Sequence, residues 1–167
     1  GKKSVTIDTR KMQIQGMHNT YNAMAAALAT LAAGVDPKVI KRSIYEFSPV
    51  EHRLEPAGTK NDIEWINDSK ATNVDSVWYA LESMQRPTVW IAGGTDKGND
   101  YTPLKEFAQK KVKALVCMGL DNEKLVSEFS DIVPKVVSCS SLDDAMRAAQ
   151  SLASDGDTVL LSPACAS

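Results

Sequence analysis

From residue 54 onward the sequence alternates between short apolar runs and helical patterns, and this alternation limits the fold more than any other feature. Strands are predicted at 54–57, 63–67, 88–92, 114–118, 135–138 and 158–161. Helices are predicted between most of them, at 74–84, 103–110, 122–129 and 142–153. Because parallel neighbours need crossover connections, a hairpin followed by strand–helix–strand units indicates a Rossmann-like α/β fold, whose mostly parallel sheet has helices on both faces.

The first 48 residues carry a different pattern. A β-like run at 4–8 precedes an Ala-rich helical pattern at 19–33, which Gly34 is expected to cap. Asp36-Pro37 predicts the start of a shorter helix, and Ser48-Pro49 then breaks the pattern as a hinge between domains. We therefore predict a helical remnant of another domain at 1–48 and the Rossmann-like domain at 49–167.

Composition narrows the class of partner. The 167 residues carry a net charge of -2, with a pI near 5.7, so the basic excess of a nucleic-acid surface is missing. No polybasic run suggests a membrane surface, and no apolar run reaches the roughly 20 residues that cross a bilayer. We expect a cytoplasmic, monomeric protein with small-molecule partners. Its three cysteines, Cys117, Cys139 and Cys165, are expected to be reduced core thiols.

The carboxyl ends of the predicted strands are the expected place for a ligand. In an open parallel sheet, ligands bind beyond these ends. The rule selects four places that can share one rim: 68–73, 93–98, Gly119 and 162–167.

The first of these places, the corner after the strand at 63–67, combines Asp68 and Lys70 with several small polar residues. Backbone N–H groups at a helix start attract anions, so the corner suits a polar, charged ligand. Ser69, Thr72 or Asn73 can instead serve only as helix caps. Capping does not explain Lys70, a cation at the positive end of the helix dipole, and this residue favours the binding interpretation.

The second place is the loop Gly93-Gly94-Thr95-Asp96-Lys97-Gly98. It fits neither the dinucleotide fingerprint nor the P-loop spacing. One interpretation is a wide turn whose glycines take positive φ while Lys97 is solvated. The other makes Lys97 a cation for a carboxylate or phosphate.

Two smaller features are equally open. His18-Asn19 begins a predicted helix, where Asn19 can cap and Asn22 lies on the same side. A histidine at a helix start is more often structural than catalytic. His52-Arg53 follows the hinge, and Arg53 is either an ordinary surface residue or a bidentate phosphate ligand.

Taken in order, five motifs resemble those of the Mur ligase family. They are Gly16-x-His18-Asn19-x-x-Asn22, His52-Arg53-Leu54-Glu55, the run from Asn67 to Asn73, Gly93-Gly94-x-Asp96-Lys97-Gly98 and the run from Leu161 to Ser167. The chain is most similar to members that add D-glutamate to UDP-N-acetylmuramoyl-L-alanine. The resemblance implies ATP-dependent amide-bond formation through an acyl phosphate in peptidoglycan synthesis, with Mg²⁺ offsetting phosphate charge.

The resemblance further implies that residues 1–48 are the C-terminal tail of the family's central ATP-binding domain and that residues 49–167 are a truncated C-terminal ligase domain. It also implies roles for individual residues. The implied nucleotide-binding residues are Asn19, Asn22, Arg53, Asp68 and Lys70, with Asp68 accepting hydrogen bonds from the ribose hydroxyls. The implied D-glutamate-binding residues are Thr72, Lys97 and Ser167, with Lys97 pairing with a substrate carboxylate.

Other parts of the family's machinery have no counterpart in this sequence. The phosphate loop, a modified lysine that helps to hold Mg²⁺ and the UDP-binding domain are expected upstream of residue 1. No catalytic residue or metal ligand is therefore expected within this chain, and the fragment is expected to be inactive alone. Relatives are also expected to continue beyond Ser167.

Two other functions remain open at this point. The substrate could be that of another Mur ligase or of folylpolyglutamate synthesis. Alternatively, the chain could be a non-catalytic Rossmann-like module that binds a nucleotide or a protein.

Overall fold

The computed structural model describes residues 4–14, 16–48 and 50–166, and for His18 it describes the backbone only. The chain divides into two compact units, Gly1–Val50 and Glu51–Ser167. The assignment of the first unit to a central ATP-binding domain stays a prediction. The predicted hinge includes Pro49, which lies outside the described residues. Within the described ranges, no helix has both the length and the apolar character needed to cross a bilayer.

The first unit is helical. Its elements are a 3₁₀ turn at Thr9–Lys11, α1 at Met17–Ala32 and α2 at Pro37–Glu46. At the end of α1, Gly34 has a φ of +89°, and its N–H donates to the carbonyl of Leu31 while that of Val35 donates to Thr30. These two bonds satisfy carbonyls that the helix end would leave free, which confirms the predicted cap at Gly34.

Two local predictions for this unit are wrong. Residues 4–8 form no strand, because no described neighbour pairs with them, and Asp8 instead accepts a hydrogen bond from Arg10 N–H at the start of the 3₁₀ turn. Asn19 does not cap α1, because the helix begins two residues earlier, after Gly16. Asn19 therefore lies inside the first turn, with Asn22 three positions further along.

The second unit alternates strands and helices as predicted. Its elements are β1 (Glu55–Lys60), β2 (Ile63–Asn67), α3 (Val74–Ser83), β3 (Thr88–Gly93), a 3₁₀ turn (Thr102–Leu104), α4 (Lys105–Lys111), β4 (Val112–Met118), α5 (Glu123–Phe129), β5 (Val136–Cys139), α6 (Leu142–Leu152) and β6 (Thr158–Ala164).

The six strands form one sheet in the order β1-β2-β6-β3-β4-β5. Among the strand pairs of the described residues, the β1–β2 hairpin is antiparallel and the other four are parallel. β6 comes last along the chain but lies between β2 and β3, where Trp65 and Val89 both pair with Val159. The mostly parallel sheet confirms the predicted fold class.

Helices cover both faces of the sheet. On one face, α3, α4 and α5 pack on the sheet around the fully buried Trp90, Leu81, Leu104 and Phe129. On the other, α6 packs against the central strands through Ala145 and Ala149. The buried apolar residues of β3, β4 and β6 therefore hold their carboxyl ends together at one edge.

Candidate functional site

Backbone hydrogen bonds join the predicted binding segments along the carboxyl edge of the sheet. The corner after β2 is bonded to β6, because Ala164 N–H donates to the carbonyl of Ala71 at 2.9 Å. The glycine loop after β3 is bonded to the end of β6, because Thr95 N–H donates to the carbonyl of Ala166 at 2.8 Å. The end of β6 is thus the bridge between the two segments.

The corner at 68–72 is a separate turn rather than the start of a helix. Ala71 N–H donates to Asp68 O and Thr72 N–H to Lys70 O, while Lys70 N–H donates to His52 O. Helix α3 begins only at Val74, where the side chain of Asn73 caps it by accepting from Ser76 N–H. The helix therefore starts at Val74 as predicted, and the amides of Lys70, Ala71 and Thr72 are already bonded within the protein.

Asp68 lies beneath this corner with only 5% of its surface exposed. Its Oδ2 accepts from the Ser162 hydroxyl at 2.8 Å, and its Oδ1 accepts from Leu54 N–H at 3.2 Å. Burial raises the pKa of Asp68, and the hydrogen bonds and the nearby Arg53 only partly oppose that rise. The carboxylate therefore ties the corner to β6 and to the turn at 51–54.

The turn at 51–54 is held in an uncommon backbone conformation. His52 has a φ of +65° and Leu54 a φ of +45°, a region that residues other than glycine seldom adopt. The His52 ring lies 2.8 Å from the Asn67 amide, and His52 N–H donates to Glu55. These bonds, with that from Leu54 to Asp68, leave Arg53 between two fixed residues and exposed to solvent.

The glycine loop after β3 requires glycine for close approach as well as for its backbone angles. A Cβ atom on Gly93 would lie 2.0 Å from the carbonyl oxygen of Met118 in β4, and one on Gly94 would lie 2.6 Å from that of Ala166. Both glycines have positive φ, as the turn interpretation predicts. The loop is thus pressed against the ends of the two strands that flank β3.

Asp96 holds this loop in its turn conformation. Its Oδ1 accepts from Gly98 N–H at 2.6 Å and from Asn99 N–H at 3.1 Å, and its Oδ2 accepts from the Tyr101 hydroxyl at 2.7 Å. Burial opposes ionisation, but these bonds and Lys124 together lower the pKa of Asp96. The carboxylate is ionised at neutral pH, and both of its oxygens already accept hydrogen bonds within the protein.

The predicted cations of this edge are exposed. Arg53, Lys70 and Lys97 make no side-chain hydrogen bond or ion pair with the part of the chain that the structure describes. Thr72 is exposed as well. Three segments therefore present cationic or hydroxyl side chains to solvent at one edge, and that arrangement suits an anionic ligand.

The other predicted residues lie outside the described part of the second unit. Asn19 and Asn22 lie on α1 of the first unit, and Ser167 lies outside the described residues. The described ranges contain no cluster of three or more His, Cys, Asp or Glu side chains that could hold a metal ion.

Sequence reasoning missed the residues that hold the edge together. Ser162 and Tyr101 are almost fully buried, and neither received a specific role. The signal for Asp96 is local, because an aspartate two residues before a glycine favours this kind of turn. All three cysteines are free thiols as predicted, but only Cys117 and Cys165 are buried in the core, while Cys139 is partly exposed. Burial raises the pKa of Cys117 to about 12.

Comparison with known proteins identifies the family to which the chain is similar. Residues 52–165 match the family model described as Mur ligase, glutamate ligase domain. UDP-N-acetylmuramoylalanine--D-glutamate ligase of Christiangramia forsetii is 49% identical over 97% of the chain, and the ligase of the same name from Chloroherpeton thalassium is 52% identical over 93%. The chain spans only 36% and 33% of these relatives, respectively.

Solved structures share the fold at low sequence identity. The UDP-N-acetylmuramate-alanine ligase MurC of Thermotoga maritima has a TM-score of 0.72 at 18% identity, covering 93% of this chain and 36% of that one. Folylpolyglutamate synthase of Mycobacterium tuberculosis has a TM-score of 0.71 at 16% identity, covering 92% and 39%. The matched family model, the two ligases and the shared fold agree, and the chain belongs to the Mur ligase family.

Proposed function

We propose that this chain is the part of an ATP-dependent ligase that adds D-glutamate to UDP-N-acetylmuramoyl-L-alanine in peptidoglycan synthesis. The single observation that carries the proposal is the set of exposed cations at the carboxyl edge of the sheet, whose side chains have no hydrogen-bond or ion-pair partner among the described residues. The substrate is inferred from the names of two ligases, each about half identical to the chain.

The proposed D-glutamate site consists of Thr72, Lys97 and Ser167. Lys97 offers an ammonium group to a substrate carboxylate, a charge-assisted bond stronger than one between neutral groups. Thr72 offers a hydroxyl that can donate to the same ligand. The role of Ser167 is inferred from the family motif alone.

Five residues are proposed to contact the nucleotide on the family resemblance: Asn19 and Asn22 in the first unit, and Arg53, Asp68 and Lys70 in the second. Arg53 and Lys70 bring positive charge to a polyphosphate, and a guanidinium can bind phosphate oxygens in a bidentate manner. Asp68 can accept a ribose hydroxyl only through lone pairs that Ser162 and Leu54 leave free. Its proposed role is therefore largely to hold Arg53 and the corner in place.

The cation set fits ATP, whose γ-phosphoryl group converts a poor leaving oxygen into a good one when it is transferred to the substrate carboxylate. The described residues do not fit a Mg²⁺ site, because Asp68 and Asp96 already accept hydrogen bonds on both carboxylate oxygens. The ligands for Mg²⁺, and the catalytic groups, are proposed to lie in parts of the enzyme that this chain does not contain. A cytoplasmic location and a monomeric state are proposed on family grounds.

The test is phosphate release by the intact gene product that contains this chain. With ATP, Mg²⁺ and UDP-N-acetylmuramoyl-L-alanine present, D-glutamate is expected to stimulate phosphate release. L-Alanine, L-glutamate and a diamino acid are the comparison set, since other family members share the fold. Stimulation by one of these instead of D-glutamate would assign a different ligase reaction, and no stimulation by any of them would favour a non-catalytic binding module.

A further inference from the structure

Behind the glycine loop lies a network that nothing in the proposed substrate contacts explains. It joins the loop to the end of β6 and to α5 through five side chains. These are Asp96, Asn99, Tyr101, Lys124 and Cys165. Residues 96 to 101 belong to the segment that presents Lys97, so the network lies directly beneath that lysine.

The Asp96 carboxylate determines the backbone on the far side of Lys97. Its bonds to the N–H groups of Gly98 and Asn99 close a turn around the lysine, so Lys97 stands at the tip of a hydrogen-bonded loop. Lys124 adds a second restraint, because its ammonium lies 2.6 Å from the Asn99 carbonyl and 3.3 Å from Asp96 Oδ1.

Tyr101 anchors the Asp96 carboxylate to the core. Only 1% of the Tyr101 surface is exposed, and its ring packs edge-on against Phe129 at 6.0 Å. From this fixed ring the hydroxyl donates to Asp96 Oδ2 and lies 3.1 Å from Cys165 Sγ. The Asn99 amide donates to the Ala164 carbonyl at 3.1 Å, so the loop is also joined to β6 directly.

We propose that Tyr101 and Asp96 are positioning residues that fix the direction in which Lys97 is offered to the carboxylate of the incoming amino acid. The inference rests on the proposed function, because Lys97 must bind that carboxylate for its direction to matter. The network itself touches no substrate. Its contribution is pre-organisation, which lowers the cost of ordering the loop when the ligand arrives.

The test replaces Tyr101 by phenylalanine in the intact enzyme. Tyr101→Phe keeps the ring in its packed position and removes only the hydroxyl. We expect the KM for D-glutamate to rise about threefold to tenfold, the range that the loss of one buried hydrogen bond gives. The KM for ATP and the kcat at saturating D-glutamate should stay unchanged. Tyr79→Phe, the same chemical change in α3, is the matched control and should leave all three values unchanged.

A second variant tests whether the two residues act through one bond. Asp96→Asn weakens the same link, so the double variant should raise the KM for D-glutamate no more than the larger single effect. Hydrogen exchange supplies a readout that does not depend on turnover. The amide of Gly98 should exchange faster in Tyr101→Phe than in the parent enzyme, since the carboxylate that accepts it has lost its anchor.

Three kinds of result would overturn the positioning role, the shared bond or the proposed function. An unchanged KM for D-glutamate in Tyr101→Phe, or a fall in kcat with every KM unchanged, overturns the positioning role and leaves the proposed function intact. Single effects that multiply in the double variant overturn the shared bond. Absence of D-glutamate-dependent phosphate release in the parent enzyme overturns the proposed function itself.

Discussion

The paired cations at the amino edge of the sheet contrast with the predicted ligand-binding cations at its carboxyl edge. At the amino edge, Lys113 binds Asp157 at 2.7 Å and Arg86 binds Asp62 at 3.2 Å. Lys111 donates to the carbonyls at the end of α3. At the carboxyl edge, Lys97 and Arg53 have no such partner within the described ranges.

The difference separates charges that stabilise the fold from charges that are available to a ligand. A cation already paired within the protein would have to lose that partner before binding an anion. An exposed cation without a partner loses only water. The fixed parts of the carboxyl edge are its acids, Asp68 and Asp96, which are bonded from within and hold the cationic segments in place.

The largest effect is expected from Lys97→Ala in the intact ligase. Loss of a charge-assisted bond to the substrate should reduce kcat/KM for D-glutamate about 100-fold, while the melting temperature stays unchanged. Steady-state kinetics and thermal unfolding measure the two quantities. Lys110→Ala is the control, since Lys110 forms an exposed pair with Glu106 away from the carboxyl edge. Normal kinetics in Lys97→Ala would mean that Lys97 does not bind D-glutamate, although it is exposed at the carboxyl edge.

Arg53→Ala should act on the other substrate. We expect the KM for ATP to rise about 30-fold, because a guanidinium contact with phosphate is lost, with no change in the KM for D-glutamate. Varying one substrate at saturation of the other measures both constants. Equal changes in both would mean that Arg53 supports the whole edge instead of one ligand.

At the amino edge the expectation is reversed. Lys113→Met leaves the buried Asp157 carboxylate without its ion-pair partner, although the Ser154 N–H still donates to it, and should lower the free energy of unfolding by about 1 kcal/mol with kinetics unchanged. All three tryptophans of the chain lie in the second unit, so their fluorescence during denaturant unfolding reports this change. A loss of activity without a loss of stability would contradict the division between the two edges.

The smallest expected effects are on the pH dependence of stability, and they distinguish Asp68 from Asp96. Because burial raises the pKa of Asp68, its contribution to stability is present at acid pH and is lost as pH rises through the raised value. The pKa of Asp96 is lowered, so its contribution is present above the ordinary aspartate range and is lost as pH falls.

Two variants measure this contrast. Relative to the parent protein, Asp68→Asn should become more stable as pH rises from 4 to 7, a window chosen around the ordinary aspartate pKa of about 3.9 and the raised value above it. Asp96→Asn should become less stable relative to the parent as pH rises toward and through the ordinary aspartate pKa of about 3.9, because the ionised carboxylate of the parent contributes its stability only at the higher pH. Denaturant unfolding at several pH values gives both slopes, and slopes of the same sign would refute the contrast.

The sheet was predictable because its strands carry their own signal. Apolar runs bounded by polar turns located β2 at the same bounds as the structure, Ile63–Asn67. The β-like run at 4–8 shows the limit of that signal, since a strand also needs a neighbour. The carboxyl-edge segments were predictable for a related reason, because parallel topology alone brings strand ends together.

The network beneath Lys97 was not predictable in the same way. Tyr101 and Cys165 are 64 positions apart and meet only because β6 inserts beside β3. The need for glycine at Gly93 arises from the carbonyl of Met118 on a neighbouring strand. Such contacts depend on register between distant segments, which periodicity does not specify.

The central place of β6 has a consequence for how the domain is made. β2 and β3 are synthesised long before residue 158, yet each pairs with β6 and they have no direct ladder with each other. During translation the β1–β2 hairpin and the strands β3, β4 and β5 therefore remain two unconnected parts of the sheet until β6 has been synthesised. Such late, long-range closure slows folding and leaves unpaired strand edges open to aggregation in the meantime.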